Sequence, residues 1–567
     1  MPTIKPKRAA AREIFESFDR LGGARNGSHG NARIQNLRIL SDGSLEKRNG
    51  SVIKHSMRDK LRGFWQGTVE GISYSFTVAG SGIYRVSGST YTLCNHLTRE
   101  AGRVQFVQYR GYLYLMDGEY LYVYEPNGNY FRMAQGYTPV VGRGWNPVTL
   151  GEWIEPLNLL NKRMQFSYLN TTAETVFKLP FYAESVDRVV ADGREIFDYT
   201  FEEMTDRLTF PRPYIQVSVC ITATFGEERT RPLHRTQHAF CDRIDDVERL
   251  ILYGADVGNY LYVSAKVDQN QLNASLAVYD DSDPLYFPAT LQLPVGDTAH
   301  PVRTIYRNHD RLIAMSERGT DVIYVDPIAE TVSAYPLHRG VTCTAVLPDL
   351  KLPEGSLVIN KSGIFFLNSA ASDPDRPELT YISQDVDFWQ RNDFIHRAIV
   401  TYNPTYNELW FACPNAQGEI WVYHLQKKQW YLFVGHDPTF FLDYGGSIGV
   451  AVDRNLYVFE STATTDAGKP IVAVLQTGYL DLGAPEHLKR SLRVSMLTEH
   501  CTALLLYLES EHTTAHFDWR PDDSDSNAPR SLDRRVGIGR FRLLRVRLFD
   551  DGISRLRIYR LALFANL

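Results

Sequence analysis

Short alternating strands, punctuated by tight-turn dipeptides and recurring at roughly 40 to 50 residues, constrain this chain more than any other feature. Gly111-Tyr-Leu-Tyr-Leu-Met runs into the turn Asp117-Gly118, then Tyr120-Leu-Tyr-Val-Tyr, Pro126-Asn-Gly and Tyr130-Phe-Arg-Met. Asp-Gly and Asn-Gly supply the positive φ angles that tight hairpins require. The unit returns at Asn259-Tyr-Leu-Tyr-Val-Ser and at Asp310-Arg-Leu-Ile-Ala-Met with Asp321-Val-Ile-Tyr-Val. It returns again at Gly355-Ser-Leu-Val-Ile with Ile364-Phe-Phe-Leu, at Asn407-Glu-Leu-Trp-Phe-Ala with Glu419-Ile-Trp-Val-Tyr, and at Ser447-Ile-Gly-Val-Ala with Leu456-Tyr-Val-Phe. This spacing predicts an all-β chain with a β-propeller core, although no Trp-Asp or kelch signature repeats. A stack of β-sandwiches is the plainer alternative.

Two stretches break the rhythm. Residues 145–235 read as an inserted β-sandwich, with strands through Phe177-Lys-Leu-Pro-Phe, Asp187-Arg-Val-Val-Ala-Asp-Gly and Gln216-Val-Ser-Val-Cys-Ile-Thr-Ala. It divides the blades into residues 51–144 and 236–476. Residues 477–567 read as a C-terminal β-sandwich, whose strands alternate basic and apolar residues (Leu492-Arg-Val-Ser-Met, Leu544-Arg-Val-Arg-Leu, Arg555-Leu-Arg-Ile-Tyr). One face of such a strand fills a core while the other presents arginine. Residues 1–50 form an N-terminal arm and first strands. Ile14, Phe15 and Phe18 fall at helical spacing, which predicts a short helix within Ala10 to Asp19, and Leu21-Gly-Gly-Ala-Arg-Asn-Gly-Ser-His-Gly is turn-rich.

Composition agrees with this reading. Tyr (33) and Phe (28) are abundant, as pleated, half-buried surfaces favour. The 61 basic and 66 acidic side chains leave a net charge of −5, which argues against a chain whose main task is gripping nucleic acid. The six cysteines (Cys94, Cys220, Cys241, Cys343, Cys413, Cys501) are scattered singly, as reduced core residues are. The basic start lacks an apolar h-region, so no signal peptide is expected.

Motifs for chemistry are missing. There is no GxSxG, HExxH or Walker loop, and Gly80-Ser-Gly82 follows no βαβ pattern. His234, His238 and Cys241 have ligand-like spacing but no fourth ligand nearby, so a surface connector is expected there rather than zinc. Asp523-Ser-Asp-Ser-Asn imitates half of an EF-hand loop, but Arg534 stands where the bidentate Glu belongs. Asp280-Asp-Ser-Asp reads as a turn. The sequons at Asn170 and Asn273 have no meaning without secretion. No catalytic, cofactor or metal residues are expected.

The strongest charge feature is the arginine set Arg534, Arg535, Arg540, Arg542, Arg545, Arg547, Arg555, Arg557 and Arg560. It reads either as a contact surface for DNA or an acidic neighbouring subunit, or as a solvated sheet face whose charges prevent edge pairing. Lys5, Lys7, Arg8 and Arg12 read as an arm that orders on assembly.

Several segments resemble the tail nozzle and hub proteins of short-tailed bacteriophages. Phe18-Asp-Arg-Leu-Gly-Gly followed by Asn36-Leu-Arg-Ile-Leu-Ser-Asp-Gly-Ser-Leu-Glu-Lys-Arg-Asn-Gly is similar to the family's opening, in which Leu37 to Gly50 would be a strand pair. Phe177-Lys-Leu-Pro-Phe, Val189-Val-Ala-Asp-Gly, Asp198-Tyr-Thr and Leu208-Thr-Phe-Pro resemble its small β-domain. Tyr402-Asn-Pro-Thr-Tyr-Asn-Glu-Leu-Trp-Phe with Trp430 resembles a late blade, and Gly478-Tyr-Leu-Asp-Leu-Gly with Leu488-Lys-Arg resembles the start of the C-terminal domain. The resemblance implies a virion tail component, a homohexameric ring beneath the portal and head-to-tail adaptor. Viral DNA would leave through its channel without sequence recognition, and tail fibres or spikes would dock on it. A propeller scaffold of a bacterial cell that recognises a peptide or glycan is the alternative from another class. A propeller glycosidase or lyase would need converging carboxylates, and no pair of them can be assigned from sequence.

Overall fold

The computed structural model describes residues 10–567 except 16–17, 19–31, 147–150, 225–229, 245, 255–258, 267–283, 296–299, 309–310, 348–349, 351, 353–354, 370–376, 415–417, 502–503 and 520–528. The turn-rich Leu21 to Gly30, the basic Lys5, Lys7 and Arg8, Asn273, Asp280 to Asp283 and the EF-hand-like Asp523 to Asn527 lie outside the described residues. The chain divides into two compact units: residues 62–344 with 369–376, and residues 1–61, 345–368 and 377–567.

Each hairpin repeat becomes one antiparallel sheet of blade topology. In the first unit four sheets have four strands each. They begin at Leu61–Val69, Gln105–Tyr109, His238–Ile244 and Val302–Asn308. The turn chemistry is visible at Asp117-Gly118. Gly118 has φ 81°, and the Asp117 carboxylate accepts from the backbone N–H of Glu119 and Tyr120 at 2.9 and 2.8 Å.

Alternation divides each strand between two neighbours. Leu113, Leu115, Tyr122 and Tyr124 pack with Phe76, Val78 and Ile83 of the sheet before. Tyr114, Met116, Leu121 and Val123 pack with Ala239, Leu250 and Leu252 of a sheet after. Ile251, Tyr253 and Leu261 then meet Ile305, Leu312 and Ile323. Sheets buried on both faces in series are the packing of propeller blades. Each fully buried Leu, Ile or Phe adds about 1.5–3 kcal/mol.

The insertion is one seven-stranded sheet that folds over its own core as a sandwich. Its two long strands, Arg163–Lys178 and Arg207–Ala223, pair antiparallel with register shifts between Leu169 and Val176. Such shifts bend a ladder. Phe166, Tyr168, Phe177, Phe210, Val217 and Val219 fill the interior.

The second unit carries three more blade sheets and the C-terminal sandwich. Strand Ser51–Ser56 pairs antiparallel with Asn455–Phe459, so the N-terminal region completes the last blade. One layer of the sandwich orders Leu37–Ile39, Leu45–Lys47, Arg557–Asn566, Arg490–Glu499 and Arg530–Val536. The other layer (Ala473–Gln476, Leu544–Asp550, Leu504–Ser510, Thr514–Trp519) continues through Arg33–Gln35 into the blade strand Gln429–Val434. Burial alternates strictly in Leu504–Ser510 and Leu544–Asp550, as the basic–apolar pattern requires.

The helix expected within Ala10 to Asp19 is a strand instead. Ala10–Phe15 pairs over six residues with Phe564's strand, Arg557–Asn566. A helix of that length is marginal by itself, whereas an open sheet edge offers a full ladder, so tertiary context overrides the spacing.

Candidate functional site: an arginine row on the C-terminal sandwich

Two groups of basic residues stand out in the second unit. The first is buried and belongs to the motifs that carry the family resemblance. Arg38 donates to Glu408 at 2.5 and 3.2 Å, with its guanidinium 3.5 Å from the centre of the Tyr406 ring. Glu408, fully buried, also accepts from Trp410 Nε1 at 2.8 Å and from the Tyr431 hydroxyl. Arg48 reaches Asp466 (2.6 and 3.0 Å), Asn36 Oδ1 (2.9 Å) and the Val434 carbonyl (2.9 Å). Asn36 Nδ2 donates to Val472. Lys47 pairs with Asp550 at 2.7 Å. A Cβ on Gly50 would overlap the Thr465 backbone, so that position must be glycine. Lys489 is equally buried, its ammonium donating to the carbonyls of Ala484, His487 and Arg542.

Electrostatics follow burial. Desolvation works against ionised Asp466, but Arg48 beside it overrides this and holds the carboxyl below its usual range. At Asp550 burial prevails over Lys47 and the pKa is raised. His436, whose Nε2 lies 2.8 Å from Ser51 Oγ, is pushed down to about 4 by burial, with Asp466 opposing and Arg48 assisting.

The second population lies on the outward side of the first sandwich layer. Register aligns Arg12, Phe564, Arg493 and Arg535 in one row across four strands: Arg12 opposes Phe564, Phe564 opposes Arg493, and Arg493 opposes Arg535. Arg560 sits on the same face, opposite Leu497. Asp533, two residues from Arg535 on the same strand, is paired with Arg493, and its pKa is lowered by that hydrogen bond. Arg493 also lies 5.9 Å from the Phe564 ring centre. A row this rich in guanidinium groups makes a surface suited to carboxylate or phosphate groups.

The structure therefore splits the nine arginines singled out from sequence. Arg535 and Arg560 belong to the row. Arg534 is exposed beside Phe517, and Arg540 and Arg542 are exposed in the loop before Leu544. Among the described residues none of these five forms an ion pair within 4 Å. The other four are held within the chain: Arg545 and Arg547 by Glu509, Arg555 by Glu46 and Asn49, Arg557 by Asp42. The sequence set lacked Arg493 and assigned Arg12 to an arm. Neither belongs to a run of basic residues within its own strand, and only strand register gathers them.

His234, His238 and Cys241 do not converge. His234 Nε2 faces the Leu160 carbonyl at 3.1 Å, and Cys241 lies 3.6 Å from Glu248. Among the described residues no group of three His, Cys, Asp or Glu side chains is placed to hold a metal, and no helix is long and apolar enough to cross a membrane.

No protein-family model and no curated protein matches the chain. Solved structures similar to it include the extracellular domain of a putative one-component system from B. thetaiotaomicron, at 8% identity and TM-score 0.35 over 89% of this chain. The chain spans only 57% of that domain's length. The AfRom2 CNH domain (9% identity, TM-score 0.34) aligns over 72% of this chain and 99% of its own. BBS1N, solved in complex with ARL6DN, aligns over 73% and 99% with 9% identity and TM-score 0.34. At these levels the likenesses assign no function.

Proposed function

We propose that this chain is a structural, non-enzymatic subunit of the tail nozzle or hub of a short-tailed bacteriophage. One observation carries the reading. Two of the motifs that resemble that family, Asn36 to Gly50 and Tyr402 to Phe411, though far apart in sequence, meet in a buried lock of Asn36, Arg38, Arg48 and Glu408. Their charges serve the scaffold, as expected of a wall element rather than a reaction centre. Copies join head to tail into a ring, identical heterologous contacts closing by rotation. The arginine row faces an acidic surface of the adjoining subunit. The lumen is neutral to acidic, since a basic wall would hold DNA phosphates and slow their passage. The net charge of −5 is in keeping with this.

Light scattering on the purified chain, with electron microscopy, tests the assembly. The expected result is a ring near six copies with a central pore. A monomer at every concentration, or a ring with a strongly positive lumen, overturns it. Arg535→Glu with Arg560→Glu should abolish the ring and leave the subunit folded. Rings that persist would move the contact elsewhere.

A further inference from the structure

The inserted sandwich contains a groove of about 910 Å3 that the tail reading does not use. That volume lies within the roughly 300–1,000 Å3 typical of small-ligand sites. Its wall is aromatic. Trp145 and Trp153 meet edge to face at 4.9 Å, and Trp153 lies 6.1 Å from Phe181. Trp153 and Tyr182 remain 57% and 63% exposed, so two large ring surfaces are left open to solvent at the groove.

Two polar groups in this lining lack partners among the described residues. Asn170 is 7% exposed, and its Oδ1 is fully buried without a hydrogen bond. Trp145 Nε1 is likewise buried and unpaired among the described residues. A buried, unsatisfied carbonyl is a standing cost in a folded protein and calls for an occupant or an explanation. Here one group needs a donor and the other an acceptor. The charged side chains of the lining, Lys178 and Asp206, pair with each other at 3.5 Å, so the groove carries no net charge.

We infer that this groove binds a neutral oligosaccharide. A sugar ring presents an apolar C–H face that stacks on indole and phenol rings. Its hydroxyls both donate and accept, the two capacities that Asn170 Oδ1 and Trp145 Nε1–H lack in a partner among the described residues. The balanced Lys178–Asp206 pair gives an anionic sugar no excess positive charge to seek. The site stands apart from the ring hypothesis, since it lies wholly within the insertion.

Calorimetric titration of the full chain with maltohexaose, cellohexaose, mannohexaose and hexa-N-acetylchitohexaose tests it. At least one should bind with a dissociation constant of about 1 mM or tighter. Trp153→Ala, at an exposed position, should weaken binding at least tenfold. Asn170→Leu should also weaken binding, yet raise the unfolding midpoint of the unliganded protein because it removes the unpaired carbonyl. A solely structural Asn170 would give the opposite shift. No binding by any of the four sugars, binding untouched by Trp153→Ala, or capture of an apolar peptide in their place overturns the inference.

Discussion

Arg38 and Arg535 are the same residue in the same unit, both on strands or beside them, and their surroundings give them opposite tasks. Arg38 is 3% exposed and locked by Glu408, Tyr406 and its neighbours. Arg535 is exposed, opposite another arginine, with no ion pair among the described residues. What an arginine does in this chain is therefore decided by strand register and layer, not by residue type. The buried set is intolerant of losing a partner. The exposed set is free to change without unfolding anything.

The largest effect should come from breaking the buried set. Glu408→Ala strands Arg38, Trp410 Nε1 and the Tyr431 hydroxyl without their acceptor. Removing one partner of a buried pair typically costs about 3–5 kcal/mol. Urea unfolding should show a loss of that order, while Asp533→Asn, which breaks the exposed, solvent-screened pair with Arg493, should leave the unfolding midpoint close to that of the parent chain. Equal losses for the two would erase the distinction.

The next effect is acid sensitivity near the lock. His436 is buried neutral, with its pKa pushed down from 6.5 to about 4. A depressed folded pKa means the unfolded chain takes up the proton first. The stabilisation is therefore complete above pH 6.5 and is lost as pH falls toward 4. At about 1.4 kcal/mol per unit, the loss is about 3 kcal/mol. Unfolding midpoints measured between pH 7 and 4 should fall accordingly, and His436→Gln should flatten that slope. Asp466, also held low, adds its own loss only below its ordinary value of 3.8. A slope that survives in the variant would assign the acid response to other groups.

The two sets also differ in how legible they are. The hairpins could be read because Asp117-Gly118 and its counterparts combine turn chemistry with period-two alternation, both local properties. The alternation of Leu544-Arg-Val-Arg-Leu likewise announced a two-faced strand. The site could not be read in the same way. Arg12 joins Phe564 and Arg493 only through pairing between the two ends of the chain, and no local pattern encodes that register. The strand Ala10–Phe15 misled for the same reason, since its helical spacing was overruled by an edge supplied from elsewhere. The pairing of strand Ser51–Ser56 with Asn455–Phe459 and the groove of the insertion likewise arise from long-range packing.

The smallest effect is expected within the exposed row itself. In the row, Arg493 stands directly opposite Arg535. Like charges at opposed positions destabilise a sheet, and opposite charges contribute roughly 0.2–1 kcal/mol. Arg535→Glu should therefore leave the isolated subunit as stable as before or slightly more so, by at most about 1 kcal/mol, with the gain fading as salt screens it. A surface that grows more stable when its charge is reversed is keeping that charge for something other than folding, because residues retained at the expense of stability concentrate where function needs them. Denaturation of the monomeric variant at low and high salt decides this. If Arg535→Glu instead destabilises the subunit by more than about 1 kcal/mol, the row belongs to the scaffold, and the exposed arginines join the buried ones.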